Sequence, residues 1–234
     1  MAKKIKRKPQ RAKPKTKKSG SARKRTRISS ILERPVSTDL RAGTIMSIDP
    51  GTQRLGWCIS RINFTNGGTE DSERIAFGTV YGKGASCESI AEIASEVRDI
   101  QEKFGVTHVF IEDYQLISGK TDGLFAVPSL ISVMKYDWYI RKDSVPTMVK
   151  AATWKHIVCG NGSAGKDMVV TSLIDKNLID KTEYDDIMAT FKARNRKADR
   201  DPQDCFDAIA IDSFVKLSIQ DYIKQERLKP DDGN

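Results

Sequence analysis

Four acidic side chains sit at positions where their types and spacing could do chemistry. Asp49 closes a short apolar run, Thr44-Ile-Met-Ser-Ile48, and is followed at once by Pro50-Gly51. Glu112 closes a second, more apolar run, Val106-Thr-His-Val-Phe-Ile111. Asp204 and Asp207 are three residues apart in an amphipathic stretch, so a helix puts both on one face. If the two runs are neighbouring parallel strands, Asp49 and Glu112 emerge at the same sheet edge. Crowded carboxylates repel, and they are stable together when a cation neutralises them or when some keep a proton. Oxygen donors without His or Cys select Mg²⁺ or Mn²⁺. Two such ions can activate a water and stabilise the leaving oxygen of a phosphodiester. The residues thus point to a metal-dependent nuclease centre. A plainer account takes Asp49 as a turn-initiating acid and Asp204 and Asp207 as first-turn acids favoured by the helix dipole. It explains each piece, but not why two strand ends also carry acids. Asp212, five beyond Asp207, points off the shared face, and Asp201 reads as an N-cap; neither is assigned to the site.

The elements that must position these acids follow from the pattern. Strands are expected from Thr44 to Asp49 and from Arg54 to Phe64, the second with Leu55, Trp57 and Ile59 on one face and Arg54, Gly56 and Cys58 on the other. The polar stretch Thr65–Glu73, with Asn66-Gly67-Gly68, makes a hairpin turn before a third strand from about Arg74 to Tyr81. Ile90, Ile93, Ala94, Val97 and Ile100 fall at helical spacing in Ser86–Phe104, with Ser86 or Ser89 as cap and Gly105 as stop. After the Glu112 strand come a helix over 124–141 and a short strand from Val145 to Val149. Helices follow at Ala152–Val158, Asp167–Asn177 and Pro202 to about Lys224. The order β-β-β-α-β-α-β-α predicts an α/β domain: a mixed five-stranded sheet, an antiparallel three-strand meander plus parallel strands, flanked by helices.

Charge is unevenly distributed. Residues 1–32 hold 14 Lys and Arg and no acid, while the whole chain holds 40 basic and 31 acidic residues, leaving 26 and 31 for residues 33–234. A mildly acidic domain therefore carries a strongly basic tail. The tail lacks the apolar groups needed to offset ordering entropy and is expected to be disordered. It reads as a phosphate-tracking arm, with an address or a solubilising tail as rivals. The division is 1–43 tail and linker, 44–225 folded domain and 226–234 flexible end. No apolar run spans a membrane, and the N-terminus lacks a signal-peptide core. Cys58, Cys87, Cys159 and Cys205 form no C-x-x-C pair, which fits a reducing compartment and disfavours zinc or a disulfide framework. An intracellular, DNA-associated protein without a small-molecule substrate is the expectation.

The glycine-rich stretch Gly160-Asn-Gly-Ser-Ala-Gly-Lys166 is not a nucleotide-binding P-loop. Asp167 follows the lysine where Ser or Thr is needed, and a helix rather than a strand precedes the loop. Lys155 and Lys166 could each meet a DNA phosphate as point charges; taken alone, each is more simply a solvated surface lysine.

Four motifs, in order, resemble the RuvC-type Holliday-junction resolvases of the RNase H-like superfamily. They are Ile48-Asp-Pro-Gly-Thr-Gln-Arg-Leu-Gly-Trp57, Ile111-Glu112, Trp154-Lys-His-Ile-Val-Cys-Gly-Asn-Gly-Ser-Ala-Gly-Lys-Asp-Met-Val169, and Asp204-x-x-Asp207-Ala-x-Ala. The resemblance spans most of residues 44–216. It implies that Asp49, Glu112, Asp204 and Asp207 bind catalytic Mg²⁺, with Mn²⁺ able to substitute and two ions per site. It implies that Lys155 and Lys166 contact DNA near the scissile phosphate, with Lys166 in the catalytic set. It also implies a homodimer nicking two opposed strands of a four-way junction symmetrically, a metal-activated water attacking in line and leaving a 5′-phosphate. The family's junction-opening aromatic follows the second acid closely, which makes Tyr114 the DNA-contacting candidate here. The stretch 178–200 exceeds the family pattern and reads as an added helix pair with a basic cluster, Lys192 to Arg200. Other readings stay open: a less selective flap or fork nuclease, an inactive junction-binding protein, or an enzyme acting on RNA–DNA hybrids.

Overall fold

Hydrophobic strands paired by register, then covered by helices, organise the chain. A computed structural model describes residues 40–64, 70–114, 125–194 and 201–227. The strands are β1 (Ala42–Asp49), β2 (Arg54–Phe64), β3 (Glu70–Tyr81), β4 (His108–Asp113) and β5 (Thr147–Lys150). The helices are α1 (Cys87–Lys103), α2 (Ala126–Lys142), α3 (Ala151–Cys159), α4 (Lys166–Asp175), α5 (Lys181–Lys192) and α6 (Gln203–Arg227). The sheet order is β3-β2-β1-β4-β5. β1–β2 and β2–β3 pair antiparallel, and β1–β4 and β4–β5 pair parallel. This is the expected mixed five-stranded sheet.

Alternation along the strands divides the core in two. Met46, Ile48, Leu55, Ile59, Val109 and Ile111 pack beneath α1 and α2. Ile45, Cys58, Ile62 and Phe110 pack on the opposite face against α3, α4, α5 and α6. The Ser86 hydroxyl accepts the Ser89 N–H to cap α1, and Gly105 takes the positive φ of 61° that ends it.

Several boundaries differ from the sequence pattern. β1 begins at Ala42 and Leu40 is buried, so packing starts before Thr44; α6 runs on to Arg227. β3 begins at Glu70 rather than Arg74, because an edge strand can keep charged side chains in solvent. Arg61 and Glu73, register partners, meet across it at 3.5 Å. The hairpin residues 65–69 lie outside the described residues, as do the basic tail and positions 195–200 of the basic cluster. In the stretch expected to hold a helix pair, the described residues contain one helix, α5.

Candidate active site

Register and alternation together assemble the acids. Ile48 lies opposite Ile111 in the parallel β1–β4 pair, so Asp49 and Glu112 stand one step further along neighbouring strands. Ile45 and Phe110, two or four residues back on their own strands, belong to the α6-side core; Asp49 and Glu112 share that face. On the other side of β1, Asp49 pairs with Gly56 of β2. A Cβ built on Gly56 would lie 1.8 Å from the Asp204 carbonyl oxygen. The first turn of α6 therefore rests on bare backbone beside Asp49, and that approach brings Asp204 and Asp207 to the strand-end acids.

Burial and neighbouring charge shift all four carboxyls in one direction. Burial, then the charges of Asp207, Glu112 and Asp204, push the Asp49 carboxyl well above the usual carboxylate range, against the pull of Lys155. Burial pushes Asp207 up to about 6; the Gln203 hydrogen bond and Lys155 oppose the rise, while Glu112 and Asp204 add to it. Glu112 is raised by burial, against the Trp154 hydrogen bond and Lys155. Asp204 is raised by burial, against Arg54 and Lys166. Asp49 and Asp207 thus feel the charge of the other acids, whereas the acidic neighbours that add to the rise of Glu112 and Asp204 are Asp113 and Asp201.

The surrounding side chains hold this group in place. Trp154, fully buried on α3, donates its indole N–H to Glu112 Oε2 at 2.8 Å. Gln203 donates to Asp207 Oδ1 at 3.0 Å. Arg54 Nε lies 2.8 Å from Asp204 Oδ2, a charge contact without hydrogen-bond alignment, and that buried oxygen has no hydrogen-bond donor. Lys155, next to Trp154, places its ammonium 5.2 Å from the indole centroid and within reach of three of the acids. Lys166 opens α4, exposed, with its ammonium 3.8 Å from Asp201. Asp201 Oδ1 accepts the Gln203 N–H at the start of α6, as its N-cap reading requires. Asp212 is buried away from the acids on Ser60 and Lys216, at 2.9 and 3.1 Å. Tyr114 is not brought to the acids: it is half-buried against the α1–α2 core.

For three of these residues the sequence gives no signal of the carboxylate each one meets. Arg54, Trp154 and Gln203 meet their carboxylates only through tertiary approach. Trp154 lies 42 positions from Glu112. Trp154→Phe keeps most of the volume and removes the N–H, leaving Glu112 one donor short in a buried site. Stability should fall by about 1 kcal/mol and divalent-metal affinity by roughly tenfold. A urea melt and a metal titration read the two effects separately.

The donor set fits hard divalent ions: four carboxylates, no His or Cys, one buried oxygen without a donor, and mutual repulsion that a cation would relieve. Among the described residues no three His, Cys, Asp or Glu side chains stand close enough together to hold a metal ion as they are placed.

No family model matches the sequence, and no curated protein matches it. Solved structures do. Thermus thermophilus RuvC aligns with a TM-score of 0.52 at 16% identity, over 78% of this chain and 96% of that one. RuvC of the same organism in complex with a Holliday junction substrate aligns at 0.53 and 16%, over 76% and 95%. The yeast mitochondrial Holliday junction resolvase Ydc2 aligns at 0.54 and 16%, over 85% and 89%. The chain shares the fold of these structures, here a mixed five-stranded sheet with helices on both faces.

Proposed function

We propose that the protein is a structure-selective DNA endonuclease that resolves four-way junctions by metal-dependent phosphodiester hydrolysis. The observation that carries this reading is the approach of the first turn of α6, with Asp204 and Asp207, to the neighbouring strand ends that carry Asp49 and Glu112. The fold shared with RuvC, a structure of which was solved with a Holliday junction substrate, supports the choice of DNA.

Asp49, Glu112, Asp204 and Asp207 would hold Mg²⁺, with Mn²⁺ as a substitute and two ions as the expected complement. When bound, the metal supplies an activated water and neutralises charge on the leaving oxygen. The chain's own residues do the rest. Trp154 and Gln203 fix two of the carboxylates. Lys155 offers a cation beside the acids, for a phosphate that would otherwise be repelled. Lys166, 62% exposed, can swing from Asp201 to a DNA backbone. Tyr114, tied into the opposite core, has no evident role at this edge.

Symmetric cutting needs two sites. Phe125, Val133, Tyr136 and Ile140 recur at helical spacing on the outer side of α2 and are 76, 40, 69 and 63% exposed. A second copy of the chain is the proposed occupant. Tyr136→Glu with Ile140→Glu should turn a dimer into a monomer by light scattering, and paired nicks into single nicks. A monomeric wild-type protein, with and without junction DNA, would argue against the assignment. Deleting residues 2–28 should lower both DNA affinity and its salt slope; an unchanged slope would mean that the tail is not a DNA arm.

The decisive assay places an end-labelled four-way junction, a flap and a linear duplex of shared arm sequence side by side in Mg²⁺, with Asp49→Asn as control. Paired symmetric nicks confined to the junction and absent from the variant support the proposal. Equal cutting of flap and junction favours a general branched-DNA nuclease. Tight junction binding without cutting, in Mg²⁺ and Mn²⁺, favours a binding protein.

A further inference from the structure

Resting on that nuclease reading, we infer that α5 is a brace for the metal-binding turn of α6, with Tyr184 as its positioning residue. α5 lies within the stretch that exceeds the resolvase pattern, yet it is anchored on three sides. The Tyr184 ring stacks on Phe206 at 5.8 Å between centroids and 22° between planes. Phe206 is fully buried and lies in sequence between Asp204 and Asp207, so the stack bears on the helical turn that presents both acids. Ile187 and Phe191, one and two turns further along α5, bury into the same core.

The other two anchors reach the sheet. Glu183 ion-pairs with Arg74 of β3, and the same guanidinium donates to the Leu178 carbonyl at 3.1 Å, fixing the entry to α5. Arg74 lies opposite Ser60 in β2, and Ser60 donates to Asp212 further along α6 at 2.9 Å. At the far end, the Arg194 guanidinium sits 5.0 Å from the Tyr81 ring centroid. Tyr81 is the register partner of Arg54, and Arg54 is the cation held against Asp204. α5 thus supports Asp204 and Asp207 through the Phe206 turn and supports Arg54 through Tyr81, without contributing an acid of its own.

Repelling carboxylates need such a brace, because without it the first turn of α6 can relax away from β1 and spread the ligands. Loss of the stack should therefore act on metal affinity before it acts on the fold. The test uses the full chain and Mn²⁺ titrated by calorimetry, at a temperature where circular dichroism shows every variant folded. Tyr184→Ala should weaken Mn²⁺ binding about tenfold, the size typical of lost outer-shell support. Tyr184→Phe, which keeps the ring, should match wild type. Ile223→Ala, a buried truncation at the opposite end of α6, should lower the melting temperature and leave the Mn²⁺ affinity unchanged. Wild-type Mn²⁺ affinity in Tyr184→Ala would overturn the brace, however far its melting point falls. Equal weakening in Ile223→Ala would also overturn it, by reducing the effect to general stability. A wild-type protein that binds Mn²⁺ and cuts no branched DNA would remove the nuclease reading, and the calorimetry would still decide the brace.

Discussion

Asp207→Asn should melt above the wild-type protein in metal-free buffer at pH 7.5, and it should cut DNA about a thousandfold more slowly in Mg²⁺. The two effects share one cause. Burial and the neighbouring acids hold the Asp207 carboxyl at about 6 against an ordinary 3.8. An acid whose pKa is raised by folding binds a proton in the folded state that the unfolded chain has already lost. Its charge therefore opposes folding fully above about pH 6, and the penalty fades as pH falls toward 4. The shift corresponds to about 3 kcal/mol, or several degrees in melting temperature for a domain of this size. Chelated wild-type protein should gain stability between pH 7.5 and pH 5, and Asp207→Asn should flatten that slope. Saturating Mg²⁺ should close the gap, because the ion replaces the missing proton. A variant that melts below wild type in chelator, at every pH, would show that these carboxylates are not crowded.

Gly56→Ala should be as damaging as the loss of an acid, although Gly56 carries no functional group. The new methyl would sit 1.8 Å from the Asp204 carbonyl oxygen and 2.3 Å from its carbon. Backbone cannot rotate aside as a flexible side chain can, so α6 must lift from β2. Overpacking of this kind costs about 3 kcal/mol or more. The cost also falls on the site, since the lifted turn carries Asp204 and Asp207 away from Asp49. A urea midpoint well below wild type, together with lost Mn²⁺ binding at low urea, is the expected outcome. A near-wild-type midpoint would mean that α6 does not rest on this glycine.

The places of the four acids at element ends were legible in the sequence because hydrophobic periodicity already defines those elements. Asp49 and Glu112 end apolar runs, and Asp204 and Asp207 share a helix face at one spacing. The sheet was legible for the same reason: β1, β2 and β4 bury residues in strict alternation or in apolar runs. The supporting contacts were not legible, since they depend on where distant segments meet. Arg54 could be placed on the Gly56 side of β2, yet nothing in its neighbours foretold Asp204 as its partner. Trp154 reads as an ordinary core residue until its N–H is seen against Glu112. Tyr114, singled out by the resemblance as a DNA contact, packs half-buried against the other core, a place its nearness to Glu112 in sequence does not foretell. The charged start of β3 read as a turn because solvated edge strands lose the pattern that marks buried ones.

The sheet also acts as an insulator. All four acids and their supports lie on the α6 face, while the exposed stripe of α2 lies on the outside of the opposite layer. A substitution on α2 changes no volume or charge near Asp49, and one near Asp49 leaves the α2 stripe intact. Effects on association and on hydrolysis should therefore add independently in combined variants. A lineage carrying this fold can change the outer face of α2 and the acidic edge as two separate traits, without one constraining the other.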